Sequence, residues 1–235
     1  MSQIENNLTE IRQKISLACG RTKRDVSSVQ LIAVSKTFPV ELIREAHQTG
    51  QLVFGESKLQ EAEPKISALP SSLSWHFIGR VQRNKVRKLL QSFQVIHAID
   101  SLRLASYVCE NANELGLIPK VFLQVNVGGE LSKGGFEPET LRADMEALLK
   151  LERLEIMGLM CIPPIGPSSE SARPWFSLLR QMRDNLELDF GATLPSLSMG
   201  MSGDYEIAIE EGATHIRVGS AIFGKRSYRL DGELG

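Results

Sequence analysis

Residues 31–39 read LIAVSKTFP, from Leu31 to Pro39. The run Leu31–Ser35 is apolar or small throughout, which suits a strand covered on both faces, and Pro39 stands where a helix can open. Between them, Lys36-Thr37-Phe38 contains no glycine. An open, doubly wound sheet usually begins with a glycine-rich strand-to-helix turn, so that architecture is disfavoured from this stretch alone. Moving outward, similar runs recur at Leu52–Gly55, Ser74–Ile78, Val95–Ala98, Lys120–Asn126, Glu155–Met160, Ser196–Met199 and Thr214–Val218. Helical patterns lie between them: Pro39–Thr49 closed by Gly50, Ser101–Leu115 closed by Gly116, Pro138–Leu151, Ser169–Leu188, and Gly203–Glu211 closed by Gly212. Eight strands, each followed by a helix, in a chain of 235 residues predict an α/β fold, a single (β/α)8 TIM barrel spanning residues 1–235 as one domain. Ile4–Ala18 reads as an extra N-terminal helix ahead of the first strand, placed to cover the barrel floor.

Composition narrows the class of function. With 27 Lys+Arg against 28 Asp+Glu the net charge is -1, and such a chain lacks the clustered cations that nucleic acid demands. The basic stretch Arg80–Lys88 (RVQRNKVRK) then reads as a solvated helix face. Cys19, Cys109 and Cys161 are odd in number and far apart, which suits a reducing, cytoplasmic compartment rather than a disulfide framework. No apolar run approaches the ~20 residues that span a bilayer, and the charged N-terminus has no secretory pattern. Histidines and cysteines show no metal-ligand spacing, so no metal site is expected.

The chemistry of a barrel gathers at the C-terminal ends of its strands. Lys36 falls one residue past the first strand. An amine against apolar walls loses hydration, gains nucleophilicity and can form a Schiff base with an aldehyde; the alternative is a solvated rim lysine. At the far end of the chain, Ser198–Asp204 (SMGMSGD) follows the seventh strand and Arg217-Val218-Gly219-Ser220 closes the eighth. Glycine N–H groups and serine hydroxyls there suit a phosphate, in the two loops where barrels often bind one. The competing reading is two ordinary turns, with Ser202 or Asp204 capping one helix and Ser220 another. Arg217, if it points inward, is a buried cation that needs an acceptor, either Glu206 or Glu210 or a ligand heteroatom. Strands one and eight become neighbours on closure, so amine and phosphate site converge. An aldehyde and a phosphate on one small aromatic ring describe pyridoxal 5'-phosphate (PLP).

The runs IAVSKTFP (Ile32–Pro39), FGE (Phe54–Glu56), LQE (Leu59–Glu61), and WHFIG with QRNK (Trp75–Lys85) resemble the YggS/PROSC family of pyridoxal phosphate homeostasis proteins. The resemblance continues through QVN (Gln124–Asn126), SKGGF (Ser132–Phe136), GLM (Gly158–Met160), LSMGMSGD (Leu197–Asp204) and AIEEGATHIRVGSAIFGKR (Ala208–Arg226). It implies a barrel similar to that of alanine racemase, PLP fold type III. It also implies that Lys36 carries PLP as a Schiff base, that Arg217 faces the pyridine nitrogen, and that Ser202, Gly219 and Ser220 hold the phosphate. An arginine keeps its proton and therefore donates to an unprotonated ring nitrogen, which makes a poorer electron sink than a pyridinium. Where the family commonly has asparagine after FGE, this chain has Ser57, able to give one hydrogen bond. Asn84 and Asn126 follow the family pattern as mouth residues, with turn or strand-end hydrogen bonding as the alternative.

Among the remaining groups, His76 and His97 read as buried neutral histidines satisfied by the backbone, and Cys161 as a small buried apolar residue. The function implied is a PLP carrier acting in intracellular PLP homeostasis, by buffering or delivery, with effects on amino-acid and keto-acid balance and little or no catalysis. PLP-dependent apo-enzymes are the candidate recipients. The competing reading is a racemase-like PLP enzyme, which needs acid/base groups on both faces of the substrate. Alanine racemase-like enzymes take the second base from a tyrosine of a further β-domain. Only Tyr107, Tyr205 and Tyr228 occur here, and the sequence stops soon after the eighth strand, so a monomer without that domain is expected. A sugar-directed Schiff-base aldolase is a third reading.

Overall fold

In the computed structural model, residues 2–130 and 133–224 are described. Ser132 of the SKGGF motif, Lys225-Arg226 of the last motif and Tyr228 lie outside them. The chain opens with α1 (Gln3–Arg21), whose start is fixed by a reciprocal cap between Ser2 and Glu5. It continues through β1 (Gln30–Val34), α2 (Val40–Gln48), β2 (Val53–Glu56), α3 (Leu59–Ala68), β3 (Ser74–Phe77), α4 (Val86–Ser92), β4 (Val95–Ile99) and α5 (Leu102–Leu115). Then come β5 (Lys120–Gln124), α6 (Pro138–Leu149), β6 (Glu155–Met160), α7 (Arg173–Phe190), β7 (Ser196–Met201), α8 (Tyr205–Glu210), β8 (His215–Val218) and the single turn α9 (Ser220–Phe223). The strands pair in parallel in sequence order, and β8 returns to β1, giving the closed barrel expected.

The differences from the sequence reading have local causes. The N-terminal helix does not cover the floor. Ile4, Leu8, Ile11, Ile15 and Ala18 form one buried stripe that packs against α8, α9 and α2 in the outer wall. The reason lies at β8, whose following helix is one turn long, so α1 occupies the place left in the helical ring. Asn7 Nδ2 donates to Ile222 O at 2.8 Å, and Arg24 ties the far end to Ile209 O and Ala213 O at 2.7 and 2.8 Å. Pro39 is the cap of α2 rather than its first residue, and Ser169–Ala172 forms a 3-10 turn before α7.

Strand alternation divides the residues into two layers. Ile32 pairs with Arg217, Gly55 with His76, and Ser198 with His215. These residues face the barrel axis, where Arg217 and Ser198 also meet His97 of β4. Leu31, Ala33, Phe54, Ile96, Leu159 and Leu197, on the opposite parity, are buried under the helices and supply much of the apolar core. The interior is thus more polar than the branched aliphatic layers usual for this architecture.

Candidate functional site

The peptide that presents Lys36 is pinned on both sides. Ser35 N donates to Gly55 O at 3.0 Å, and Phe38 N to Ser35 O at 3.1 Å, closing a tight turn at the end of β1. Thr37 takes the left-handed backbone region, with φ of 70°, which is costly for a β-branched residue. Its N–H is held by Glu61 Oε1 of α3. On the other flank, Lys65 Nζ donates to Ser35 O at 3.0 Å, and also to Glu56 Oε1 at 2.8 Å and Glu61 Oε1 at 2.7 Å. All three ammonium protons of this buried lysine are therefore spent. Ser35 Oγ adds a bond to Glu56 Oε1 at 2.7 Å. Lys36 itself is half-buried, between two residues that cannot swing away.

The two carboxylates of this clasp titrate in opposite directions. Burial pushes the Glu56 carboxyl up, against the pull of Lys65 and Ser35, and its Oε2 has no hydrogen-bond partner among the described residues. Burial also pushes Glu61 up, but hydrogen bonds from Lys65 and the Thr37 N–H outweigh it and leave the group below its ordinary value.

Across the barrel seam, the loops after β7 and β8 come together. Ser202 Oγ receives the Gly219 N–H at 3.1 Å and the Ala221 N–H at 3.4 Å. With its oxygen accepting twice, the Ser202 hydroxyl keeps its own proton to donate outward, and the neighbouring Ser220 is exposed. Ser220 is the first residue of α9 and Gly219 its cap. Asp204 makes no cap bond either, because its Oδ1 accepts the Met201 N–H at 2.6 Å. One glycine is required here and a second is tightly packed. Gly200 has φ of 92°, and a Cβ on it would lie 2.6 Å from Ala208 Cβ. A Cβ on Gly219 would sit 3.2 Å from Val34 O, which shows how closely the loop approaches the strand carrying Lys36. Phe38 and Phe223, with ring centroids 5.0 Å apart, join the turn after β1 to α9 after β8.

Arg217 is buried inside the barrel, and its partner is neither Glu206 nor Glu210. Those carboxylates pair with Arg21 and, for Glu210, Arg173 on the outer face of α8. They lie on a helix outside the sheet, whereas Arg217 Nη1 donates to Ser198 Oγ at 2.6 Å and Nη2 to Cys161 O at 2.9 Å. Burial draws its proton affinity down, yet a guanidinium stays charged near neutrality. The histidine reading is also corrected. His97 Nδ1 lies 2.8 Å from Ser198 Oγ and His97 Nε2 lies 2.9 Å from His76 Nδ1, so these rings are satisfied by side chains and not by the backbone. Cys161 is fully buried, and burial pushes its thiol up to about 12, which leaves it unreactive as a nucleophile.

The mouth residues separate. Ser57 is half-buried and lines a groove of about 240 Å³ with Arg80, Gln82 and Lys85. Asn84 is exposed on the 3-10 turn Arg83–Lys85. Asn126 is buried, with Nδ2 donating to Glu137 Oε1 at 3.0 Å, so its amide is already engaged. Sequence reasoning gave no role to Glu56, Glu61 or Lys65, and it grouped Ser198 with the loop after the seventh strand, whereas Ser198 lies within β7 and is buried against Arg217. The i,i+4 spacing of Glu61 and Lys65 was visible, but nothing marked Lys65 as buried. Among the described residues no cluster of His, Cys, Asp or Glu is arranged to hold a metal, and no helix is long and apolar enough to cross a membrane.

Fold and site together define a class: closed parallel barrels with a lysine just past the first strand and serine- and glycine-bearing loops that meet after the last two. The chain belongs to the family of the alanine racemase N-terminal domain, which matches residues 1–227, and within it to the YggS/PROSC pyridoxal phosphate homeostasis proteins. The pyridoxal phosphate homeostasis protein of Aquifex aeolicus is 44% identical over 222 residues, covering 94% of this chain and 97% of that one. The structure of PipY from Synechococcus elongatus with PLP bound is 40% identical, with a TM-score of 0.83, covering 94% of this chain and 100% of that one. Alanine racemase of Clostridium difficile shares the fold at a TM-score of 0.74 and 15% identity, and the match covers 98% of this chain but 58% of the racemase.

Proposed function

We propose that this chain binds PLP through Lys36 and serves in intracellular PLP homeostasis, buffering or delivering the cofactor without appreciable turnover. The phosphate is held by the Ser202 hydroxyl, the Gly219 loop and Ser220, and the pyridine nitrogen faces Arg217. Residues 1–235 act as one PLP-binding unit, monomeric and cytoplasmic, with PLP-dependent apo-enzymes as recipients.

The observation that carries this reading is the packing of Gly219 on Val34, which sets an anion cradle beside the turn that presents Lys36. The donor set fits the ligand. Ser202 has a hydroxyl proton to spare, the Gly219 and Ala221 N–H groups are held by its Oγ, and Asp204 is turned to Met201. Arg217 uses two of a guanidinium's five donors on Ser198 and Cys161, and further donors suit an acceptor nitrogen on a ring. When bound, PLP supplies an aldehyde that condenses with a primary amine, releasing water, and a ring that withdraws electrons from that bond.

Little turnover is expected because the candidate second bases are engaged elsewhere. Racemisation needs a second acid/base group opposite Lys36. Among the described tyrosines, Tyr205 is buried at 5% exposure within the α8 packing, and Tyr107 on α5 lies under Arg83, whose Cζ is 4.4 Å from its ring centroid. His76 and His97 are committed to each other and to Ser198.

The test is borohydride reduction of protein incubated with PLP, followed by peptide mass analysis. A reduced pyridoxyl adduct on Lys36, absent from Lys36→Ala, is the expected result; an adduct only on other lysines contradicts the reading. Incubation with L-alanine should leave the enantiomer unchanged. Steady conversion to D-alanine, abolished in Lys36→Ala, would make the chain a racemase instead.

A further inference from the structure

A second polar feature runs down the barrel axis, away from the mouth. Arg217, Ser198, His97 and His76 come from β8, β7, β4 and β3 and are linked by contacts of 2.6, 2.8 and 2.9 Å. His76 and His215 in turn line a cavity of about 520 Å³ at the floor, together with Gln30, Ser74, Gln94 and Lys120. Buried polar groups weaken a barrel interior unless each finds a partner, so a connected set of four calls for a role.

The chemistry gives this chain a direction. A guanidinium only donates, so Ser198 Oγ accepts from Arg217. Ser198 is fully buried, and its one proton must go to a second acceptor. His97 Nδ1 at 2.8 Å is that acceptor. A His97 that accepts at Nδ1 carries its proton on Nε2 and donates it to His76 Nδ1. His76 therefore also holds its proton on Nε2, on the side of the floor cavity. A positive charge on His97 would strand the Ser198 proton and stand near Arg217. The groups facing the column are Arg217 and His215 of β8, Lys120 of β5, Cys161, and Asp204, whose carboxylate acts on Arg217 and Cys161 but not on the imidazoles, so among the described residues no carboxylate offsets such a charge on His97. Burial accordingly holds His97 well below its ordinary value and His76 at about 3.

We propose that Ser198, His97 and His76 form a one-way hydrogen-bond column that positions Arg217, holding both imidazoles neutral with Nε2–H and leaving Ser198 as a fixed acceptor beneath the guanidinium. Ser198 cannot rotate to donate toward the mouth without stranding His97 Nδ1. The guanidinium plane is fixed at two corners, by Ser198 of β7 and by the Cys161 carbonyl after β6. These are positioning residues: none need touch a ligand. The proposal rests on the assignment of Arg217 to the pyridine nitrogen only for its effect on bound PLP.

Two measurements test it. Nitrogen-15 NMR of histidine-labelled protein without PLP reads the tautomers directly, with signals assigned through His76→Gln and His97→Gln. Neutral Nε2–H forms for both rings at pH 6 to 8 are expected; an Nδ1–H form or an imidazolium at His97 overturns the column, whatever the fate of the PLP reading. The second measurement follows the visible absorption of PLP-loaded protein against pH. His97→Asn keeps an acceptor near the Nδ1 position, whereas His97→Gln keeps only the Nε2 end. Ser198→Ala and His97→Gln should move the absorption midpoint by about one pH unit, a tenfold change in proton affinity. Ser198→Thr and His97→Asn should restore it. An unmoved midpoint in Ser198→Ala and His97→Gln, with Lys36 still trapped by borohydride, overturns the positioning role. Loss of Lys36 trapping in the wild-type protein would instead sink the PLP reading and leave the tautomer result to decide the column.

Discussion

Behind Lys36, outside the barrel wall, an ammonium is enclosed by two carboxylates, whereas beneath Arg217, inside the barrel, the neighbours are a hydroxyl, a carbonyl and neutral imidazoles. Each device fixes one end of the same mouth. The clasp of Lys65, Glu56 and Glu61 works by charge and grips the backbone at Ser35 and Thr37. The column works by hydrogen-bond direction and grips a side chain. A charge-based clasp tolerates the exposure that Glu61 has near the surface, at 27%, while the axis at His97 and Ser198, fully buried, does not favour a second cation beside Arg217.

The largest effect separates the two. Lys65→Met leaves Glu56 and Glu61 facing each other without a counter-charge, and breaking a buried pair from one side costs about 3–5 kcal/mol. Urea denaturation should show that loss. A triple variant, Lys65→Met with Glu56→Gln and Glu61→Gln, should recover most of it, since removing all the charges removes the desolvation cost as well. A triple variant as unstable as Lys65→Met would mean that the clasp acts through packing rather than charge.

Acid separates them with a smaller slope. Burial holds His215 at about 4 and His76 at about 3, both below the ordinary 6.5, with Arg217 and Lys120 among the charges that add to the effect. A base with a depressed folded pKa stabilises the fold fully above its unfolded value and loses that stability as pH falls toward the folded one. Between pH 6.5 and 4 each of these rings is protonated in the unfolded chain and bare in the folded one. Stability should therefore drop with acid by up to about 1.4 kcal/mol per pH unit for each ring. The clasp contributes less over this window, because the raised Glu56 and the lowered Glu61 act with opposite signs. His215→Gln should flatten the slope measured by urea unfolding at pH 6.5, 5.5 and 4.5. An unchanged slope would locate the acid sensitivity elsewhere.

The same contrast explains what could be read from the sequence. The barrel was legible because eight apolar runs recur with helical patterns between them, and parallel strands leave that signature regardless of detail. The placement of Lys36, Ser202 and Gly219 just past strand ends, where barrel chemistry collects, was legible as well. The helix α3 was not, since its buried face is Leu59, Ala62 and Lys65, and it contains Pro64. A lysine on the buried stripe lowers the periodic signal, and the reason for its burial is two glutamates, one on another element. The column escaped for a related reason. Its members are drawn from four strands, and Ser198, His97 and His76 each look like an isolated polar residue in an apolar run until closure brings them to one axis. Arg217 was recognised as needing a partner, but the partner sat on the neighbouring strand β7 and not on the preceding helix α8.

The smallest effect sharpens the meaning of the clasp. Glu63 lies on α3 two residues from Glu61, and its Oε1 is 3.9 Å from Lys88 Nζ, with side chains 41% and 66% exposed. The charges are the same types as in the clasp and the glutamate is on the same helix, although Lys88 reaches it from α4. Water and salt screen this pair, and ordering two long side chains offsets much of the attraction. Lys88→Ala should therefore change stability by no more than about 0.5 kcal/mol, against several for Lys65→Met. If the two substitutions proved equally costly, losing any lysine partner of an α3 glutamate would cost the same, and burial against β2 would have no special part in holding the turn that carries Lys36.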